Sequence, residues 1–253
     1  IRAARREAPY AAFCLLNSDV EVVDPRWLET LKRHAFSDPT IGVVGPLSNA
    51  ASYQSVPALR VQTGKKSEDW SKNELPPGPA DDPWTPRGVA AAVARGSRRR
   101  LVDVPVLNGF CLFVKAEVVE AVGLMDEVAF PHGFGEENDF ALRALAAGYS
   151  LKVADDVYVW HHKSKSYGDA TRQALSAGSA EAMRERWGSM LRHAVGLLET
   201  NQELAEARRR VGASLAGSAC GPGRLRVLFV LNPQKEHREH EFQMHGGWIS
   251  IVN

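Results

Sequence analysis

Asp19, the acidic trio Glu136, Glu137 and Asp139, and His161 are the residues of this sequence whose types and settings suit chemistry. Asp19 ends the turn Asn17-Ser18-Asp19, straight after the apolar run from Tyr10 to Leu16. His161 closes a second apolar run, "VYVWH". In open α/β sheets ligands bind beyond the carboxyl ends of strands, so both side chains are expected at such an edge. A carboxylate oxygen and an imidazole nitrogen can together hold a divalent cation of the Mg or Mn type. The acidic trio opens "EENDFALRALAAGY". At a helix N-terminus the backbone dipole favours an ionised carboxylate, the form a general base needs. At helical spacing Glu137 shares a side with Phe140 and Ala141 and faces inward. Glu136 and Asp139 share a neighbouring side, and Asp139 stands four residues before Arg143, within pairing reach. Each feature also has a structural reading. Asn, Ser and Asp are ordinary turn residues, acidic residues often open helices, and a strand-end histidine is more often a satisfied core group than a ligand. Their order and joint spacing are what raise them together to a candidate site.

The elements that must position these residues are punctuated clearly. Tyr10 to Leu16 is a continuous apolar run, which predicts a strand buried on both faces, with Cys14 in the core. Asp24-Pro25 starts a helix as N-cap and first position, with Trp27, Leu28, Leu31 and Ala35 on one face. "TIGVVGP" is the next strand, and strand-helix-strand implies a parallel α/β layer. Leu47 to Arg100 is long and rich in Pro, Gly, Ser and charge, with a short helix expected at Val89 to Ala94. Such loops in compact domains are commonly functional. "LVDVPVLNGFCLFVK" reads as two strands broken at Asn108-Gly109. Ala116 to Val122 is a helix stopped by Gly123, and the helix opened by Glu136 stops at Gly148. From Ala180 to Val211 the pattern is helical and charged. Met183, Trp187, Leu191, Val195 and Leu198 recur at three- or four-residue steps and form an amphipathic face. "RLRVLFVLNP" is a new buried-type strand after the break "GSACGPG".

Composition narrows the classes. The 253 residues are 44% hydrophobic, enough for one large domain or one domain plus pieces. A formal net charge of +1 calls for no nucleic-acid partner. Cys14, Cys111 and Cys220 have no metal-ligand spacing, and the pattern is that of a reduced, intracellular chain. No apolar stretch reaches membrane-spanning length, and no P-loop or dinucleotide fingerprint occurs.

The blocks "LLNSDVEVVDPRWLETL", "VGPLSNAASYQSVP", "NGFCLFVKAEVVEAVGLMDE" and "GFGEENDFALRALAAGYSLKVADDVYVWHHKSKSYG" occur in that order. Together they resemble the family 2 glycosyltransferases, in the style of the bacterial rhamnosyltransferase-like group that builds surface polysaccharide. The resemblance implies the GT-A fold, a Rossmann-like α/β/α sandwich that binds a nucleotide-diphosphate sugar, and an inverting reaction. It places Asn17-Ser18-Asp19 at the family's Asp-x-Asp motif, with Asp19 on the divalent cation. Asn17 departs from the first Asp of that motif and, with Ser18, is assigned to the donor. His161 falls at a further metal ligand, and Glu137 at the catalytic base with Glu136 and Asp139 beside it. Asn108-Gly109 falls where acceptor meets donor sugar. The implied partners are a nucleotide-diphospho-sugar donor and a saccharide or lipid-linked saccharide acceptor, handled in the cytoplasm or at the inner face of the membrane. Ser48 to Arg100 and Lys163 to Gly168 are expected to shape the acceptor site.

The same resemblance sets the expected organisation. Residues 1–175 form the catalytic domain, 176–222 a helical linker, and 223–253 the opening of a second α/β domain that resembles the start of a GT-B glycosyltransferase. The family's first βα units are expected ahead of Ile1, so the chain by itself is expected to be incomplete and inactive. Two other classes fit some of the same residues. One is a non-catalytic sugar-binding or scaffold module of GT-A type. The other is a metal-dependent nucleotidyltransferase, which also uses strand-end carboxylates.

Overall fold

The computed structural model describes residues 10–59, 84–131, 133, 135–162 and 169–219. In chain order the elements are β1 (Ala12–Leu16), β2 (Val20–Glu21), α1 (Trp27–Ala35), β3 (Ile41–Leu47), α2 (Pro86–Gly96), β4 (Leu101–Val104), β5 (Cys111–Lys115), α3 (Ala116–Val122), α4 (Glu136–Ala146), β6 (Ser150–Tyr158), β7 (Trp160–His161), α5 (Asp169–Glu199) and α6 (Gln202–Ala219). The expected α/β class is the observed one. Five strands form a mixed sheet in the order β1-β5-β3-β6-β4, and β2 pairs with β7 in a small ribbon.

The strand-helix-strand pattern predicts β1 and β3 as co-directional strands of one layer. They are co-directional, but β5 lies between them and runs antiparallel to both. Among the described strands only β3 and β6 pair in parallel. Asn108-Gly109 therefore does not join a hairpin. β4 pairs with β6 at one edge of the sheet, while β5 enters its middle.

Alternating side chains divide the core into two layers. Val43 of β3, Leu112 and Val114 of β5 and Leu151 and Val153 of β6 pack with Val89 and Val93 of α2, Val118 and Val119 of α3 and Phe140 of α4. Ile41, Val44, Cys111 and Phe113 point the other way, onto Leu31 and Ala35 of α1. Both faces are covered, so β3 and β5 are buried along their whole lengths and read as unbroken apolar runs.

β1 departs from that pattern. It was expected to be buried on both faces, yet Cys14 and Leu16 are exposed and the other three residues are half-buried. Its run is apolar like the others, but it is the edge strand, bonded on one side only among the described residues. α1 also starts later than expected. Asp24 Oδ1 accepts the backbone N–H of Arg26, forming a turn ahead of the helix, and Arg26 occupies the cap position. Leu31 and Ala35 are buried as expected, but Leu28 is exposed and His34 is buried, hydrogen-bonded to Asp156 at 2.8 Å.

The helix expected within the long loop is α2. It is longer than predicted and capped by Thr85, whose hydroxyl accepts the N–H of Gly88 at 3.1 Å. α3 ends at Gly123 with φ +80, a conformation that suits glycine. The charged helical stretch is two helices, α5 and α6, with the break at Thr200-Asn201, and both pack on the domain. Leu198, Leu204, Val211 and Leu215 join the core layer that also holds α2. Arg210 binds the carbonyl of Gly96 and the carboxylate of Asp155. Residues 60–83, 163–168 and 220–253 lie outside the described residues. They include part of the long loop, the Lys163 to Gly168 segment, Cys220 and the strand expected at 224–233. No helix among the described residues is long and apolar enough to cross a membrane.

Candidate functional site

The carboxyl ends of β1, β3 and β6 meet the amino end of β5 at one edge of the sheet. The sequence-predicted residues gather there. The backbone N–H of Asn17 donates to the carbonyl of Phe110 at 2.9 Å, which holds the Asn17-Ser18-Asp19 turn against the start of β5. Asn17 and Ser18 are exposed and Asp19 is half-buried. Asp19 accepts the N–H of His162 at its carbonyl (2.8 Å), and its carboxylate Oδ1 lies 3.4 Å from Nε2 of His161.

His161 is held from three sides. Its Nδ1 lies 2.9 Å from the carbonyl of Ala50, and a carbonyl only accepts, so Nδ1 carries the proton. In the neutral ring Nε2 then has its lone pair toward Asp19. Asn49 locks the backbone of His161 with both halves of its amide, accepting its N–H at 2.7 Å and donating to its C=O at 2.9 Å. Phe110 stacks on the ring at a centroid distance of 5.3 Å. A carboxylate beside an imidazole whose other ring nitrogen is fixed by a carbonyl supplies, when the ring is neutral, the oxygen and nitrogen donors of a divalent-cation site. Those residue types fit Mg or Mn. Among the described residues no group of three or more His, Cys, Asp and Glu side chains gathers in the manner of a complete metal site.

Asn108-Gly109-Phe110 connects this pair to the acidic trio. Phe110 touches His161, and Gly109 lies against Glu137 so closely that a Cβ there would stand 3.3 Å from the Cβ and Cγ of Glu137. The segment is anchored by Gln54, whose side chain accepts the N–H of Asn108 at 2.7 Å and donates to the carbonyl of Pro46 at 2.7 Å. Gly109→Ala is expected to push the Glu137 side chain by a few tenths of an ångström and to lower turnover roughly tenfold. Melting temperature should change little. Initial-rate kinetics with a parallel thermal melt checks this, and an unchanged rate would detach Gly109 from the reaction centre.

Glu137, with Asn138, opens onto a cavity of about 180 Å³ walled by Tyr53, Leu107, Asn108, Leu191 and Val195. The helix N-terminus was expected to keep this carboxyl ionised. Instead its pKa is pushed up to about 7. Burial is the largest cause and the neighbouring Glu136 carboxylate the second. The backbone N–H groups at the start of α4 act the other way and are outweighed. A carboxyl poised near neutrality suits proton transfer at physiological pH.

The other two acids of the trio have different settings. Glu136 turns back and accepts the N–H of Gly135 at 3.1 Å. Asp139, expected beside the donor and acceptor, does not line the cavity. It is fully buried and holds Arg143 Nε (2.8 Å), Trp187 Nε1 (2.9 Å) and Arg186 Nη1 (3.3 Å). Arg143 in turn reaches the carbonyls of Val122 and Leu124. The predicted Asp139–Arg143 pair is thus present, but as one half of a clamp between α4 and α5.

Sequence reasoning gave no role to Asn49, Gln54 or Phe110. Asn49 and Gln54 stood in the "LSNAASYQ" block just past a buried strand, at the same sheet edge as Asp19. That position was the available signal.

No family model matches the chain. The O-antigen biosynthesis protein RfbC of Myxococcus xanthus is 27% identical over 170 residues, covering 64% of this chain and 12% of that protein. The uncharacterized proteins Mb1552 of Mycobacterium bovis and Rv1525 of Mycobacterium tuberculosis are each 31% identical over 105 residues, covering 41% of this chain and 37% of theirs. The chain therefore spans only a minor part of the curated relatives it matches. Among solved structures, the mannosyltransferase PcManGT from Pyrobaculum calidifontis, in complex with GDP-Man and Mn2+, covers 88% of this chain and 54% of its own at 16% identity, with a TM-score of 0.45.

Proposed function

We propose that this chain carries the reaction centre of a metal-assisted glycosyltransferase of the GT-A type. In this reading it moves a sugar from a nucleotide-diphosphate donor to a hydroxyl of a saccharide or lipid-linked saccharide, with inversion, during surface polysaccharide assembly at the cytoplasmic face of the membrane. The observation that carries the reading is Glu137. Its side chain is half-buried, opens onto a cavity, has its pKa pushed up to about 7 by desolvation, and shares a sheet edge with Asp19 and His161. A binding or scaffold module has no use for a carboxyl held in that costly state, and this favours an enzyme. The ordered sequence blocks and the similarity to a protein named for O-antigen biosynthesis support the polysaccharide part of the reading.

In the proposed reaction Glu137 accepts the proton of an acceptor hydroxyl in the cavity. The freed oxygen attacks the anomeric carbon of the donor sugar as the bond to the diphosphate breaks, and the electron pair leaves with the diphosphate. One displacement inverts the anomeric centre. Asn108 and Gly109 keep the base and the reacting groups in register, and Gln54 keeps Asn108 in place. Asp19 and His161 would hold a divalent cation, which when bound offsets the negative charge that grows on the leaving diphosphate.

The test uses the intact protein, labelled nucleotide sugars and a saccharide acceptor. Transfer should require Mn or Mg and stop when a chelator removes it. Asp19→Ala is expected to raise the metal concentration for half-maximal transfer roughly tenfold or more, with a nearly unchanged melting temperature because the side chain is partly exposed. Transfer that proceeds fully in chelator, or is indifferent to Asp19, would remove the metal-assisted reading.

A further inference from the structure

A second pocket adjoins the cavity that holds Glu137. It measures about 570 Å³ and is lined by Tyr53, Pro57, Glu199, Ala205, Arg208 and Arg209. Tyr53 lines both spaces, and Leu198 and Glu199, consecutive on α5, line one each. The two are therefore neighbouring compartments of one depression.

Arg208 is the unusual residue there. Its Nη1 donates to the carbonyl of Tyr53 at 2.8 Å, which fixes the guanidinium at the boundary between the compartments. A guanidinium offers five N–H donors. Among the described residues Arg208 has no carboxylate partner. The neighbouring arginines do: Arg209 pairs with Glu206, and Arg210 with Glu206 and Asp155. Arg208 is also half-buried, and that burial pulls its pKa down from the ordinary arginine value. The one acid in the pocket wall, Glu199, accepts from the Tyr53 hydroxyl at 3.4 Å. A fixed, half-desolvated and unneutralised guanidinium beside an open space is complementary to an oxyanion, which it can bind with two parallel N–H donors.

We propose that the pocket at Arg208 is an anion subsite, and that it takes the phosphate or carboxylate of an acceptor saccharide whose free hydroxyl lies against Glu137. The acceptor half of this inference rests on the transfer reading above, and the anion half does not. Tyr53 sits at the junction, where it lines both compartments and its carbonyl holds Arg208 in place.

Calorimetric titration of the intact protein at low salt, without donor, tests the subsite. The probes are glucose 1-phosphate, glucuronate and methyl glucoside. At least one anionic sugar should bind about tenfold more tightly than the neutral one, and added salt should erase the difference. Binding of the phosphate alone identifies a phosphate-bearing acceptor, and binding of glucuronate alone a uronate. Arg208→Gln should remove the preference. Because that change also cuts the bond to Tyr53, Ala205→Glu is the second variant: it leaves Arg208 in place and adds a carboxylate to the pocket wall, and it should also abolish the preference while a thermal melt stays cooperative. Equal binding of all three sugars, no binding of any, or indifference to both variants overturns the proposal. Absence of any anion preference in the parent protein, with transfer intact, would remove this subsite only. Anion binding without any transfer would remove the transfer reading only.

Discussion

Glu137→Gln is expected to cut transfer by about a hundredfold or more while leaving donor binding intact. The amide fills the same space but cannot accept a proton. The pH profile carries a second part of the prediction. In the parent protein the base works only when ionised, so the rate should rise through about pH 7 as Glu137 loses its proton. That limb should be missing from the residual activity of the variant. Stability should move the opposite way. The folded-state pKa of Glu137 is raised above its unfolded value, so the folded chain holds this proton more tightly, and ionisation disfavours the fold as pH rises from the unfolded pKa to the folded one. At pH 8 the glutamine variant should therefore melt higher than the parent, and the gap should close toward pH 4. A variant that is slower yet more stable marks a group kept for chemistry. Near-normal turnover in Glu137→Gln, together with crippled turnover in a fully stable Asp139→Asn, would mean that the base is the other carboxylate.

Asp139→Ala is expected to lower folding stability by about 3 kcal/mol or more. The carboxylate is fully buried, and three donors converge on it from two helices. Its removal leaves Arg143 with only the carbonyls of Val122 and Leu124, takes away the acceptor of Trp187 Nε1, and leaves Arg186 with Asp126 as its carboxylate. Arg186 is partly exposed, and water recovers some of its share, so the cost lies nearer the lower end for buried ion pairs. Urea unfolding measures it from the midpoint, and a loss below about 1 kcal/mol would show that the clamp contributes little. Activity should fall as well, because Asp139 lies half a turn from Glu137, but in proportion to lost order and without a change in the pH limb.

The parts of this fold that were legible in the sequence are those set by local rules. β3 is buried on both faces and reads as an unbroken apolar run. Gly123 and Gly148 stop their helices with positive φ. Glu137 faces inward because Phe140 and Ala141 do. Strand order was not legible, because nothing within Cys111–Lys115 says that it enters between β1 and β3. The same limit explains β1, whose apolar run cannot report that one of its sides is a sheet edge. Asp139 shows the limit at the site. Its helical register gave Arg143 correctly, but its other partners, Arg186 and Trp187, lie 47 and 48 residues away. The Asn49–His161 lock spans 112 residues. The protonation of Glu137 was misjudged for a related reason. The helix end is visible in the sequence, whereas the desolvation that outweighs it comes from distant chain.

α5 lies behind Glu137 and also walls the cavity. Ser179 holds the carbonyl of Gly133, Met183 packs against Gly135, Arg186 and Trp187 grip Asp139, and Leu191 and Val195 line the space in front of Glu137. These contacts follow one another along a single uninterrupted rod. A lineage that enlarges the cavity at Leu191 or Val195 to admit a bulkier substrate also perturbs the lever that seats the acidic turn. Changes in substrate size and changes in proton affinity are then inherited together. Descendants of this chain should show paired substitutions, one on the wall and one on the clamp, more often than either alone.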